Sequence, residues 1–402
     1  MLKLQDIERA QKLLATIAKD IPLIHSRTFS ELTGAEVYLK AENLQRTGSF
    51  KIRGAYVRIQ GLTPEERARG VIAASAGNHA QGVAVAAAIA GIKAVVVMPE
   101  TASLAKVTAT KSYGAEVVLR GSSYDEAFAY ARQLQREKGL AFIHPFDDLD
   151  VMAGQGTVGL DIVDSLPDVE AVVVPVGGGG LIAGIATAVK GQNPKVQMIG
   201  VQAAAASSCY ESFKSGVLKT VRASSTIADG IAVESCGKLA FPIIRNKVDD
   251  MVTVEDDAIA HAIVLLLERS KLLVEGAGAI GLAAMLVGRI KLPNKKVAVV
   301  LSGGNIDVNL LARVIEHGLT SAGRFLVIRV RLLDQPGQLF GLLRIFSEKR
   351  VNILEIEHHR AGLPLAVNQA EVELTLETRD AEHCAEILSA LRQAGYEVWR
   401  TW

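Results

Sequence analysis

The stretch T-G-S-F-K-I-R-G-A, residues 47–55, sets Lys51 between Phe50 and Ile52, two residues that belong in a core. Lysine is costly to bury and normally points to solvent, so this placement marks a candidate reactive amine. Desolvation between apolar neighbours lowers an amine's pKa and makes it nucleophilic. Further on, V-V-V-P-V-G-G-G-G-L-I-A-G-I-A-T-A-V-K (172–190) passes from an apolar strand pattern through Gly177, Gly178, Gly179 and Gly180 into an Ala-rich helix pattern opened by Leu181. Glycines let a backbone approach a ligand closely, and the N–H groups at a helix start hold an anion such as a phosphate. The run is neither G-x-G-x-x-G nor a Walker motif, so neither a dinucleotide nor a nucleoside triphosphate is indicated.

S-A-G-N-H-A-Q-G (75–82) repeats the arrangement after V-I-A-A. Backbone donors there, with the Ser75 hydroxyl and the Asn78 amide, are suited to clamp a carboxylate. Taken alone the segment fits an ordinary N-capped turn equally well, and His79 alone fits a structural histidine better than a base. L-S-G-G-N (301–305) is a third loop of small polar residues at a strand end. In open α/β sheets ligands bind beyond the carboxyl ends of strands, where such loops converge. An amine, a phosphate cradle and a carboxylate clamp together suit pyridoxal 5'-phosphate held by Lys51 as a Schiff base and ready for an amino acid.

The elements that must position these loops are legible as alternating patterns. V-I-A-A-S (71–75), K-A-V-V-V-M-P (93–99), A-E-V-V-L-R (115–120), A-V-V-V-P-V (171–176), V-Q-M-I-G-V (196–201) and K-V-A-V-V-L (296–301) have the composition of buried parallel strands. Helix patterns such as A-Q-G-V-A-V-A-A-A-I-A-G (80–91) lie between them. Strand–helix alternation predicts an α/β doubly wound architecture. From about residue 323 the order changes to β-α-β-β-α-β, with a D-Q-P-G turn at 334–337, which predicts a ferredoxin-like unit. The expected domains are therefore 1–320, with a smaller subdomain at about 47–145, and 323–402.

Composition narrows the function classes. Lys plus Arg is 44 and Asp plus Glu is 43, a net charge of +1, which makes no electrostatic case for nucleic acid or an anionic membrane. The uncharged run 171–189 is long enough to consider as a membrane span, but Pro175 and four glycines fit a strand, loop and helix better. The N-terminal M-L-K-L-Q-D-I-E-R-A-Q-K is a charged amphipathic helix pattern, not a signal peptide. Three scattered cysteines, Cys209, Cys236 and Cys384, lack metal-ligand spacing and fit a reducing compartment. A cytoplasmic protein without membrane or nucleic-acid partners is expected.

Taken in order, S-F-K-I-R-G, S-A-G-N-H-A-Q-G, the G-G-G-G-L loop, T-I-A-D-G-I-A (226–232), E-G-A-G-A (275–279) and S-G-G-N resemble the threonine dehydratases (threonine ammonia-lyases) of the fold type II pyridoxal-phosphate enzymes, over about residues 5–320. The C-terminal unit resembles an ACT regulatory domain. The resemblance implies two open twisted sheets with flanking helices, a homo-oligomer (dimer or tetramer), and a catalytic Lys51 carrying the cofactor with Phe50 beside it. It implies that Asn78 bonds the ring's 3-oxygen, that Gly177, Gly178, Gly179, Gly180 and Leu181 hold the phosphate, and that Ser302 faces the pyridine nitrogen. Ser75, Gly77 and Asn78 would bind the substrate carboxylate, and Glu275 would lie near the ring.

The implied reaction is β-elimination of L-threonine to 2-oxobutanoate and ammonia, with L-serine to pyruvate as a side activity. A neutral hydroxyl at the ring nitrogen favours elimination over transamination. Related serine racemases need a serine where this chain has Ala76, so racemisation is disfavoured. Gln202 and Ser208 stand where those relatives carry metal-binding acids, so no metal is expected. In the ACT-like unit, Asp334, Gln335, Gly337, Gln338 and Asn352 are the candidate contacts for an amino-acid effector such as isoleucine, bound between paired units. The alternatives are a serine or 3-hydroxyaspartate dehydratase, or an amino-acid sensor with a vestigial catalytic domain. Isoleucine synthesis and threonine breakdown are both compatible roles.

Overall fold

The computed structural model describes residues 1–360 and 365–401. By internal contacts the chain divides into Met1–Ile306 and Asp307–Trp402. Helix Val308–Ser321 thus falls in the second unit, whereas the expected boundary lay at about 320.

The first unit holds two sheets. The larger has the order Leu23–His25, Glu36–Ala41, Lys296–Leu301, Ala171–Pro175, Gln197–Ala203, Asp250–Val254, with every pairing parallel except the first. The smaller runs Glu116–Leu119, Ala94–Met98, Val71–Ala74, Ala141–Phe142 and is all parallel. Parallel strands are buried on both faces by crossover helices, and Ala171–Pro175, Ala94–Met98 and Val71–Ala74 are buried along their whole length. Glu116–Leu119 is not: expected as a buried strand, it lies at a sheet edge with both ends exposed. Strand Glu36–Ala41 went unread because Glu36 and Lys40 interrupt its apolar pattern, yet Lys40 is fully buried.

Lys40 survives burial because it belongs to a closed polar network. Its amine donates to the Ile21 carbonyl at 2.8 Å and lies 3.0 Å from Asp161. Arg53 of helix Lys51–Gln60 binds Glu42 with two nitrogens, at 2.9 and 2.8 Å, and also reaches Thr157 at 3.0 Å and Asp161 at 2.7 Å. Arg53, Glu42 and Lys40 are each at least 98% buried. Paired and fully hydrogen-bonded, such charges fix one arrangement of the elements that carry them. Here those elements are the helix that begins with Lys51, the strand that ends at Ala41, and helix Leu149–Ser165.

The cysteines correct the expectation of scattered residues, and with it the argument for a reducing compartment that was drawn from them. Cys209 of helix Ser208–Ser215 and Cys236 sit side by side as a disulfide with Cα atoms 4.9 Å apart, while Cys384 is free and buried. A separation of 27 residues hides the pair, because the chain leaves and re-enters the same corner of the unit. Among the described residues no helix is long and apolar enough to cross a membrane.

The second unit has an antiparallel sheet in the order Asn352–His359, Gln369–Glu377, Phe325–Leu333, Glu397–Arg400. Helices Gln338–Glu348 and Ala381–Gln393 bury Leu342, Phe346, Ile387 and Leu391 against the strand residues Leu326, Ile328, Val330, Val372 and Leu374. This is the ferredoxin-like βαββαβ order.

Candidate active site

Lys51 is the first residue of its helix, and neighbouring backbone fixes where that helix starts. Phe50 N–H donates to the Ser302 carbonyl at 3.2 Å, Ser49 bridges Gly303, and Gly304 N–H donates to the Gly48 carbonyl at 2.9 Å. The loop before Lys51 is thereby laced to the loop after strand Lys296–Leu301. Lys51 Nζ donates to the Pro145 carbonyl at 2.8 Å and sits 5.1 Å from the centre of the Phe50 ring. Although the residue is half-buried overall, its amine lies deep: burial lowers its pKa to about 8, against an opposing pull from Glu275.

The amine opens into a cavity of about 310 Å³. Its walls bring together Phe50, Lys51, Ser75, Ala76, Gly77, Asn78, Gly177–180, Leu181, Glu275 and Ser302. The loops come from two sheets, Ser75–Asn78 from the smaller and the glycine run and Ser302 from the larger, so the site lies in the cleft between them. Every residue named in advance for cofactor or substrate lines this one space.

The glycine run precedes helix Gly180–Gln192, whose first N–H groups have no intrahelical partner. Gly179 has φ +90°, the left-handed region that glycine adopts without strain, and a Cβ on Gly178 would lie 2.3 Å from the Phe146 ring. Larger residues would fill the cradle.

On the other wall, Asn78 Nδ2 donates to Glu275 Oε1 at 2.7 Å, and Asn305 donates to Asn78 Oδ1 and to the Thr47 carbonyl. Glu275 is 5% exposed, and burial pushes its pKa up to about 7, with Asp229 adding to the rise. His79 Nε2 donates to the Ile143 carbonyl at 2.8 Å, and burial holds its pKa down to about 3, so it is a neutral structural group at physiological pH.

Several lining residues escaped sequence analysis. Pro145 and Phe146 belong to the run H-P-F-D-D at 144–148, and Lys106 and Tyr124 also line the cavity, as does Asn305, the last residue of L-S-G-G-N, to which no role was assigned. Asp229 and Ile231 lie inside T-I-A-D-G-I-A, a motif that carries the resemblance without an assigned role. Gln202 Oε1 accepts from Tyr210 N–H at 2.9 Å, and Ser208 donates to the Val233 carbonyl at 2.9 Å. Both are tied to backbone.

Residues 15–303 match the family described as pyridoxal-phosphate dependent enzymes, and residues 326–396 match the ACT domain. The chain belongs to the pyridoxal-phosphate dependent enzymes. It is 50% identical over 398 residues, 99% of each chain, to the L-threonine ammonia-lyase of Thermotoga maritima. Among solved structures it resembles the processed form of threonine deaminase isoform 2 from Solanum lycopersicum, with 39% identity, a TM-score of 0.75 and coverage of 78% of this chain and 92% of that one. It resembles the serine racemase of Dictyostelium discoideum with 38% identity, a TM-score of 0.72 and coverage of 76% of this chain and 99% of that one.

As a pyridoxal-phosphate dependent enzyme it needs an amine and an anion cradle in one space. The cavity offers a lysine amine of lowered pKa, a side-chain-free loop at a helix start and a buried serine hydroxyl at Ser302. The residues present fit the cofactor.

In the ACT domain a second cavity, about 330 Å³, is lined by Asp334, Gln335, Gly337 and Gln338 together with His358 and Arg360. Arg360 donates to Asp334 at 3.0 Å. Asn352, expected beside them, does not line this cavity: it starts the strand that ends at His359, and its amide donates to Glu377 at 3.0 Å. An eight-residue strand carries it away from the turn.

Proposed function

We propose that this enzyme is an L-threonine ammonia-lyase, converting L-threonine to 2-oxobutanoate and ammonia, with L-serine as a second substrate. The observation that carries the proposal is the Lys51 amine, of lowered pKa, in one cavity with the glycine cradle and the Ser75–Asn78 loop. The full-length likeness to a protein named L-threonine ammonia-lyase supports the choice of substrate.

Bound pyridoxal phosphate supplies an electron sink in conjugation with the substrate's α-carbon. The chain's own residues do the rest. Gly177–180 and Leu181, at the positive end of helix Gly180–Gln192, hold the phosphate. Ser75, Gly77 and the start of helix Asn78–Ile89 receive the substrate carboxylate. Asn78 serves the ring's 3-oxygen, its orientation set by Glu275 and Asn305. Lys51 Nζ, neutral above about pH 8, removes the α-proton as general base. Ser302 would face the ring nitrogen with a neutral hydroxyl where a carboxylate would make the cofactor a deeper electron sink, and this residue choice suits elimination better than transamination.

Ala76 lines the cavity and offers no hydroxyl; related serine racemases carry a serine at this position, so racemisation is disfavoured against elimination. Purified enzyme is expected to form 2-oxobutanoate from threonine and pyruvate from serine, with no appreciable D-serine; Ala76→Ser should bring some racemisation. Preference for 3-hydroxyaspartate over both substrates, or D-serine formed as fast as pyruvate, would overturn the assignment.

The ACT domain is proposed to bind an amino-acid effector at the turn Asp334–Gln338, supported by the cavity there and the α-carboxylate-binding capacity of exposed turn N–H groups. A homo-oligomer, dimer or tetramer, in the cytoplasm is the proposed working form.

A further inference from the structure

The turn 143–147 lies outside every motif singled out in the sequence, yet it touches both ends of the cofactor cavity. Pro145 receives the Lys51 amine at 2.8 Å. Phe146 meets the glycine cradle: a Cβ on Gly178 would fall 2.3 Å from its ring, and one on Gly180 would fall 2.4 Å from its carbonyl oxygen. The next side chain, Asp147, reaches the opposite side of the cradle. Its Oδ2 accepts from Lys238 N–H at 3.0 Å, and its Oδ1 accepts from Leu239 N–H at 2.9 Å and Ala240 N–H at 3.3 Å. These are donors at the start of helix Ala240–Lys247. Immediately before them, Gly237 N–H donates to the Gly178 carbonyl at 2.9 Å. A Cβ at Gly237 would strike Asp147 Oδ1 at 2.4 Å.

The glycine loop is therefore pinched between Phe146 on one side and Gly237 on the other, and the Asp147 carboxylate ties the two jaws together. His144 fixes the turn by accepting from Phe146 N–H at 3.2 Å and Asp147 N–H at 2.8 Å through Nδ1. Burial holds His144 down to about 4, so Nδ1 stays an acceptor at neutral pH. A run of glycines has no side chains to set its own conformation, so its neighbours must do so.

We infer that Asp147 is a positioning residue for the phosphate cradle: its carboxylate holds segment 237–240 and Phe146 at a set spacing, so that the glycine loop keeps one conformation. This role rests on Gly177–180 being the phosphate site, as proposed above. Preorganisation of a site appears as affinity, and here the affinity at stake is for the phosphate group alone.

The test compares pyridoxal phosphate with pyridoxal, which lacks the phosphate, each titrated into full-length apo-protein and followed by absorbance and fluorescence. Wild-type protein should bind pyridoxal phosphate far more tightly. In Asp147→Ala that preference should shrink by about tenfold or more, the scale of losing hydrogen bonds to a charged group, while the affinity for pyridoxal stays the same. Asp147→Asn, which keeps one acceptor oxygen, should lie between, and it decides the matter should Asp147→Ala fail to fold. An unchanged preference in the variants, or equal weakening of both ligands, overturns the positioning role even if the melting temperature falls. No preference in the wild-type protein would instead overturn the phosphate site itself.

Discussion

Asn78 Nδ2 donates to Glu275 Oε1 at 2.7 Å across 197 residues of sequence, and this bond sets a carboxyl group inside the cofactor cavity. Burial pushes that carboxyl from an ordinary 4.5 up to about 7. The folded protein therefore takes up a proton that the unfolded chain has lost between those two values, and stability falls as pH rises through that window. Glu275→Gln, which cannot ionise, should stabilise the apo-protein at pH 8 by on the order of 3 kcal/mol. The gain should fade toward pH 5. Thermal unfolding of both apo-proteins across this range checks it, and a difference independent of pH would refute the ionisation argument.

Lys51 behaves in the opposite sense. Its amine, lowered to about 8 by burial, is charged below that pH and nucleophilic above it. Combination of the apo-protein with cofactor, followed by the growth of visible absorbance, should accelerate with rising pH and level off above about 8. Lys51→Ala should lose this absorbance and reduce turnover by at least ~100-fold, with its circular dichroism unchanged. Wild-type turnover in the variant would remove Lys51 from the mechanism.

Arg53 holds Glu42 with two nitrogens in a region where neither side chain meets water. Arg53→Met would leave that carboxylate short of its principal partner, at a cost of about 3–5 kcal/mol. A lowered melting temperature should accompany a moderate loss of turnover, because the helix that begins with Lys51 carries Arg53. Replacing Arg53 and Glu42 together by apolar residues should recover much of the stability. An unaltered melting temperature in Arg53→Met would show that the network does not stabilise the fold.

Asp334 lines the ACT-domain cavity and accepts from Arg360. If the cavity takes an effector, isoleucine or valine should shift the threonine saturation curve several-fold, the usual scale of ~1–3 kcal/mol of coupling. Asp334→Ala should abolish the shift and leave turnover without effector as in the wild type. Identical saturation curves with and without each amino acid would leave the domain a structural module.

Local motifs made much of the site readable in advance. Lys51, the glycine run, the Ser75–Asn78 loop and Ser302 each follow or precede an apolar strand or helix pattern, and a backbone cradle is built from residues adjacent in sequence. The ACT domain was equally legible, since its strand Phe325–Leu333 alternates with a period of two and its helix Gln338–Glu348 carries one apolar stripe. Less visible was whatever depends on a partner far along the chain. Strand Glu36–Ala41 contains a lysine that looks exposed until Asp161 and the Ile21 carbonyl are brought to it.

Sequence by itself determined the chemistry available: an amine among apolar residues, glycines at a helix start, and a hydroxyl where a carboxylate would change the reaction. Tertiary structure alone decided how those groups are held. Pro145 meets Lys51 across 94 residues, Asp147 reaches Leu239 across 92, and Arg53 meets Asp161 across 108. Cys209 and Cys236 join across 27, and Asn352 departs from the turn it was expected to serve. Periodicity reports which face of an element is buried, but not which distant face buries it. A hydrogen bond forms only within about 3 Å of its partner, and the packing of two sheets around one cleft sets which residues come that close.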